Sequence, residues 1–221
     1  MTTNISRIEL LMMEITGDEK HDDSALSTRD VLWVLYDRIL RYDPKNPKSE
    51  ERDRFVLSKG HGPEALYAIL ADKGFFPTSH LKTFMAWDSI LGAHPDRNKV
   101  PGVEASTGSL GHGLPMAVGM ALALRLKKSG RRVFALIGDG ECNEGSIWEA
   151  ILLAGNLHLS NLTCIVINNY SSSLQLDDLA AKFAAFGWAA TAINGHSHEQ
   201  IYEALIRTDS RRPMAVVAEI G

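Results

Sequence analysis

Residues 138–145 read GDGECNEG, and residues 167–170 read INNY. The first sets a carboxylate, Asp139, between two glycines, and the second ends an apolar run with Asn168 and Asn169. Glycine lets a backbone come close to a ligand, and the free amides of a following helix start favour an anion. A carboxylate beside a phosphate is repulsive unless a divalent cation lies between them. Magnesium takes oxygen ligands and commonly bridges one or two protein oxygens to substrate phosphates. The two motifs together therefore predict a metal diphosphate. Asp139 and the amide oxygen of Asn169 would be the ligands, with a backbone carbonyl just beyond completing the protein's share.

GDG alone reads as a tight turn with an aspartate helix cap; INNY at the end of the next strand shifts the balance to a metal site. The 27 residues between them, 141–167, hold a crossover helix and a strand with little to spare. A dinucleotide site would need G-x-G-x-x-G, and the third glycine is out of register. No G-x-x-x-x-G-K-[ST] phosphate loop occurs anywhere. His61 in SKGHG and His94 in AHPD each sit beside glycine or proline in a loop at the same edge. Histidine suits proton and hydrogen-bond work near neutral pH. His80, His158, His196 and His198 read as surface residues, Cys142 as a small filler, and His112 as facing either the ligand or a partner.

These residues need a scaffold, and the chain supplies alternating helices and strands. Ser27 with Asp30 resembles a capping box for a helix carrying Val31, Leu32, Leu35, Ile39 and Leu40. PEALYAILADKG starts on Pro63 and stops at Gly74, and SHLKTFMAW reads as a third, shorter helix. The stretch from Leu91 to Gly113 is glycine-rich and aperiodic, as functional loops often are. LPMAVGMALALRLKKSG is a closely packed helix, and RRVFALIGDG is a strand. SIWEAILLAGNLH is a helix with a Ser146–Glu149 capping box, and NLTCIVINNY is the next strand. A helix at DDLAAKFAAFG, a strand at WAATAIN, a helix capped by Ser197 and Gln200, and a strand at PMAVVAEI follow. Nearly continuous apolar strands alternating with helices indicate an α/β fold: a doubly wound, mostly parallel sheet covered on both faces. No repeat or linker divides it, so residues 1–221 form one domain.

Composition narrows the class further. The chain has 221 residues, 45% hydrophobic and 23% charged, with a formal net charge of −4. That balance and the lack of a basic run argue against nucleic-acid binding. No apolar run reaches the ~18 residues of a membrane span, and the first residues lack signal-peptide features. With Cys142 and Cys164 the only cysteines, a reducing, cytoplasmic setting is expected.

GDGECNEGSIWEA…NLTCIVINNY resembles the thiamine-diphosphate-binding half of transketolases. The likeness extends to LRYDPKNPKSEERDRFVLSKGHGPEALYAILADKGFFP, GAHPDRNKVPGVEASTGSLGHGLPMAVGMALA and LAAKFAAFGWAATAINGHS. It implies thiamine diphosphate held through magnesium, or calcium or manganese in its place, by Asp139, Asn169 and the carbonyl of Ser171. Gly138 and Gly140 would line the diphosphate, and His61 would face its phosphate end. Gly108, Ser109 and Leu110 would pass along the cofactor rings. His94 would hydrogen-bond a donor sugar, and His21 aligns with another family histidine although its context here is EKHDDSAL. Glu144 would join an acidic network at a subunit interface, Glu149 serves the helix start, and Glu141 is left unassigned.

The cofactor in this family supplies the carbanion chemistry that cleaves and forms carbon–carbon bonds. The resemblance thus implies transfer of a two-carbon ketol unit from a ketose phosphate donor to an aldehyde acceptor. It also implies a separate subunit carrying the pyrimidine-binding and C-terminal domains, in an α2β2 assembly. The short segment after Asn169, the altered EKHDD context and the end at Gly221 suggest a specialised acceptor. Another thiamine-diphosphate enzyme (a 2-oxoacid decarboxylase or dehydrogenase, or a deoxyxylulose-phosphate-synthase-like protein) is one alternative, although RDRFVLSKGHG is not expected there. A non-catalytic scaffold is the other.

Overall fold

The computed structural model describes residues 5–15 and 22–221. His21 lies outside them. Five parallel strands form one sheet in the order β1-β2-β3-β5-β4: β1 (Arg54–Leu57), β2 (Val133–Gly138), β3 (Leu162–Asn168), β4 (Ala189–Asn194) and β5 (Met214–Glu219). The helices are α1 (Ile5–Met13), α2 (Asp22–Val34), α3 (Glu64–Asp72), α4 (Gly113–Leu126), α5 (Gly145–Asn156), α6 (Leu179–Ala185) and α7 (His198–Ile206).

Strand side chains alternate between two cores. Phe134, Leu136, Ile165 and Ile167 pack with residues of α1, α2, α3 and α7. Val133, Ala135, Ile137, Cys164 and Val166 pack with α4, α5 and α6. Every residue of β2 and β3 is buried, which is why both read as unbroken apolar runs. Edge strand β4 is only partly buried. The β4-to-β5 connection runs back towards the sheet centre. A right-handed crossover in that direction puts α7 on the face opposite α5 and α6.

Several local readings change. SHLKTFMAW holds a 3-10 turn, Thr78–Thr83, rather than an α-helix. Helix α2 begins before Ser27, whose hydroxyl donates within the helix to Ser24 O at 2.9 Å, and the helix continues as a π-helical turn over Leu35–Ile39. Asp30 is 5% exposed and binds His198 Nε2 at 2.8 Å and His196 Nδ1 at 3.2 Å. The two histidines read as surface residues thus dock α7 and its preceding turn onto α2. The Ser146–Glu149 capping box is absent. Glu144 caps α5 without a side-chain bond, and the Ser146 hydroxyl donates to Gly111 O at 2.7 Å. Ser197 does cap α7, accepting from Gln200 N.

Candidate active site

Because all strands run the same way, the segments after β1, β2, β3 and β5 gather at one edge of the sheet. Asp139 follows β2 directly and is 1% exposed. Its Oδ1 accepts from Gly140 N and from Ser171 Oγ, both at 2.8 Å, and its Oδ2 accepts from Ser172 N at 3.0 Å. Across from it, the two asparagines at the end of β3, Asn168 within it and Asn169 just past it, diverge. Asn168 turns towards β5 and donates to Glu219 Oε2 at 2.8 Å. Asn169 keeps its Oδ1 buried and without a hydrogen-bond partner.

A buried amide oxygen lacking a partner is energetically costly unless something fills its lone pairs. With the buried carboxylate of Asp139 at the end of the adjacent strand, such an oxygen suits a hard cation. Among the described residues, no three His, Cys, Asp or Glu side chains converge to hold a metal. A cation here would therefore draw its remaining oxygens from a phosphate ligand and water. Asp139, Asn168, Tyr170, Ser172 and Leu174 line an adjoining cleft of about 270 Å³. The expected metal residue Ser171 is also present, touching Asp139 through its hydroxyl. Gly140 has only Ser171 Oγ nearby, 3.7 Å from where a Cβ would sit, whereas the corresponding position on Gly138 lies 3.0 Å from Lys59 Cδ. Absence of a side chain at Gly138 thus makes room for Lys59.

The second part of the site is an open groove of about 970 Å³. His61 and His94 meet in it edge to face, with ring centroids 4.7 Å apart at 89°. The buried Tyr67 hydroxyl donates to Gly92 O at 2.9 Å and His94 O at 3.0 Å, so α3 fixes the loop that presents His94. Gly108 passes beneath the ring, and a Cβ on it would sit 3.1 Å from His94 Cγ. Ser109, Leu110 and Glu144 also border the groove. Glu144 is exposed. His112 is exposed too, its Nδ1 3.0 Å from Leu110 O. Gly111 has φ +85°, and a Cβ there would lie 2.5 Å from Ser146 Oγ, so only glycine fits this turn.

Sequence reasoning missed the residue that ties both parts together. Glu141 looked like one more acid in an acidic turn, yet it is 1% exposed. Its Oε1 accepts from Ser58 Oγ, just past β1, and from Gly111 N at 2.9 Å. Ser58 Oγ in turn accepts from Leu114 N at 3.2 Å, in the first turn of α4. Burial raises the Glu141 carboxyl above its ordinary range, opposed by these hydrogen bonds and by Lys59. Its only sequence signal was position, two residues beyond Asp139 and inside the turn.

Lys59 is the other hidden group, 9% exposed, donating to Ser24 O at 3.0 Å and Ser24 Oγ at 2.5 Å. Burial lowers its ammonium from 10.5 to about 8, against the pull of Asp139, Glu141 and Glu64. Below that pH the folded chain carries the full penalty of the buried charge, about 3 kcal/mol. Between about pH 8 and 10.5 the unfolded chain holds more protons, so stability rises with pH. Lys59→Met removes the group. In the metal-free chain, wild type should gain up to about 3 kcal/mol on the variant across that window, measured by urea denaturation. A difference that stays flat with pH would show that Lys59 does not titrate this way.

The chain matches the family described as "Transketolase, thiamine diphosphate binding domain" over residues 2–219. It is 50% identical to a protein of Rhodococcoides fascians named "Ferredoxin fas2", across 95% of this chain and 70% of that one. The two cysteines here are both buried, and cannot supply the four thiolates that usually hold an iron–sulfur cluster. It is 42% identical to the "6-deoxy-6-sulfo-D-fructose transketolase subunit SqwG" of a Clostridium species, across 84% of this chain and 70% of that one. Among solved structures, a transketolase variant from Pichia stipitis superposes with a TM-score of 0.85 at 27% identity. The superposition covers 97% of this chain but only 35% of that enzyme, so the chain spans about a third of its length. Fold and sequence agree, and the chain belongs to the transketolase family, in which it corresponds to the thiamine-diphosphate-binding domain.

Proposed function

We propose that this chain is the N-terminal subunit of a two-component transketolase, working with a separate subunit that carries the pyrimidine-binding and C-terminal domains. The observation that carries this reading is that a buried, unpartnered Asn169 Oδ1 and a buried Asp139 follow adjacent strands at the same sheet edge as the His61–His94 pair. A scaffold has no use for that arrangement. A relative named as a transketolase subunit, 70% of which this chain covers, supports the division into two chains.

Thiamine diphosphate, when bound, supplies the carbanion chemistry for cleaving and joining carbon–carbon bonds next to a carbonyl. Asp139, Asn169 and the Ser171 carbonyl would hold its magnesium ion, a role calcium or manganese can fill, with Gly138 and Gly140 along the diphosphate. His61 would donate to the phosphate end. Gly108, Ser109 and Leu110 would flank the rings, where a close backbone excludes water. His94 would orient a ketose phosphate by donating to a hydroxyl or to the reacting carbonyl oxygen. Glu144 would meet the second subunit at an interface of an α2β2 assembly. His21 remains an assignment by likeness. Residues 1–221 would work as one domain, and buried free thiols suit a reducing, cytoplasmic compartment. The acceptor is an aldehyde, and the short segment after Asn169 favours one other than an ordinary pentose phosphate.

Mixing the chain with its partner subunit, thiamine diphosphate and magnesium should yield ketol transfer from a ketose phosphate to an aldehyde, and either subunit alone should give less than about 1% of that rate. Full activity of the partner without this chain would defeat the proposal.

A further inference from the structure

Asn169 sits between two residues that share a single acceptor. The Asn168 amide donates to Glu219 Oε2 at 2.8 Å, and the Tyr170 hydroxyl donates to the same oxygen at 2.9 Å. Glu219 ends β5, directly opposite Asn168 in the ladder, and Ile220 N donates to Asn168 O at 3.0 Å. Tyr170 has φ 56°, a left-handed conformation that a bulky residue rarely adopts unless its surroundings hold it. Both neighbours of Asn169 are thus turned onto β5, while Asn169 keeps its own Oδ1 buried and unpartnered.

We infer that Glu219 is a positioning residue for the metal site. By gripping Asn168 and Tyr170 it fixes the backbone on either side of Asn169 and aims that amide oxygen towards the cation shared with Asp139. The inference rests on the reading of Asp139 and Asn169 as metal ligands. A ligand held in place before the metal arrives loses less freedom on binding, and outer partners of metal ligands typically change affinity by 10–100-fold when removed. Glu219 suits such a role because it is only partly buried, and one arm of its clamp, Tyr170, is 68% exposed. Its loss should spare the fold.

The test is a calorimetric titration of the full chain and thiamine diphosphate with Mg2+, repeated with Mn2+, for wild type, Glu219→Ala, Glu219→Gln, Tyr170→Phe and Asp139→Ala. Glu219→Ala should weaken metal affinity by tenfold or more, with the melting temperature of the metal-free chain within about 3 °C of wild type. Glu219→Gln keeps an oxygen that accepts both donors, so it should recover to within about threefold. Tyr170→Phe removes only the exposed arm and should fall between, which keeps the test decisive if Glu219→Ala fails to fold. Wild-type affinity in both Glu219→Ala and Tyr170→Phe, or a Gln variant as weak as Ala, would overturn the inference. If Asp139→Ala also binds metal normally, the ligand reading itself has failed. If only Asp139→Ala loses the metal, the clamp alone is wrong.

Discussion

Asp139→Ala should abolish magnesium-dependent binding of thiamine diphosphate, lowering affinity by at least about 100-fold, or about 2.7 kcal/mol. Asp139 is the only carboxylate among the residues assigned to the metal. Without it, a cation at this edge keeps a neutral amide, a carbonyl and phosphate oxygens, and loses the protein charge that balances it. The fold should tolerate the change better than the site does. Asp139 accepts from Gly140 N, Ser171 Oγ and Ser172 N, and the two serine donors lie in a partly exposed segment that water can reach. Asp139→Asn largely separates the charge from the hydrogen bonds: its amide oxygen still accepts from Gly140 N and Ser171 Oγ, only the bond from Ser172 N is lost, and it should still bind the cofactor far more weakly than wild type. Calorimetry of thiamine diphosphate at several magnesium concentrations reads this directly. Equal affinity with and without magnesium in wild type, or wild-type behaviour in Asp139→Ala, would remove the metal from this site.

Glu141→Ala should lower the unfolding free energy by about 2–5 kcal/mol. The substitution leaves two buried donors, Ser58 Oγ and Gly111 N, without their acceptor, and each such loss is worth roughly 1–3 kcal/mol. It also severs the one side chain that joins the turn after β2 to the segment after β1 and to the Gly108–Gly113 loop. Glu141→Gln should lose distinctly less. Its amide oxygen still accepts from both donors, and it carries no charge to be desolvated, the effect that pushes the native carboxyl upward. Denaturant unfolding of the metal-free chain gives the comparison. A Gln variant as unstable as Ala, or an Ala variant within about 0.5 kcal/mol of wild type, would show that Glu141 is not the tie described here.

These two residues stand two positions from one another in the same motif, and only one was legible. Asp139 announced itself because a parallel strand followed by a glycine turn has a known destination, the ligand edge of the sheet. The same logic found Asn169, and the loop contexts of His61 and His94 placed both rings at that edge, where they meet at 4.7 Å. Glu141 has no such logic. Its partners lie 83 and 30 residues away along the chain, and nothing in an acidic tripeptide tells a buried carboxylate from a solvated one. Ser146 shows the reverse error: local spacing fitted a capping box, but Gly111 O offered a better-placed acceptor. The pairing of His196 and His198 with Asp30 was hidden for a similar reason, since Asp30 is 166 and 168 residues away. Strand β1, only four residues long and opening on Arg54, has too little pattern to read alone.

The sequence by itself determined the parallel α/β architecture, the order of nearly every element and two of the residues proposed for the metal, Asp139 and Asn169. Those properties follow from periodicity and from strand ends, which are local. Tertiary structure decided which polar groups are buried together: Glu141 on Ser58 and Gly111, Lys59 under Gly138, and Glu219 gripping both neighbours of Asn169. Such pairings depend on distances between segments far apart in the chain, and those distances exist only once the sheet has brought its strand ends to one edge.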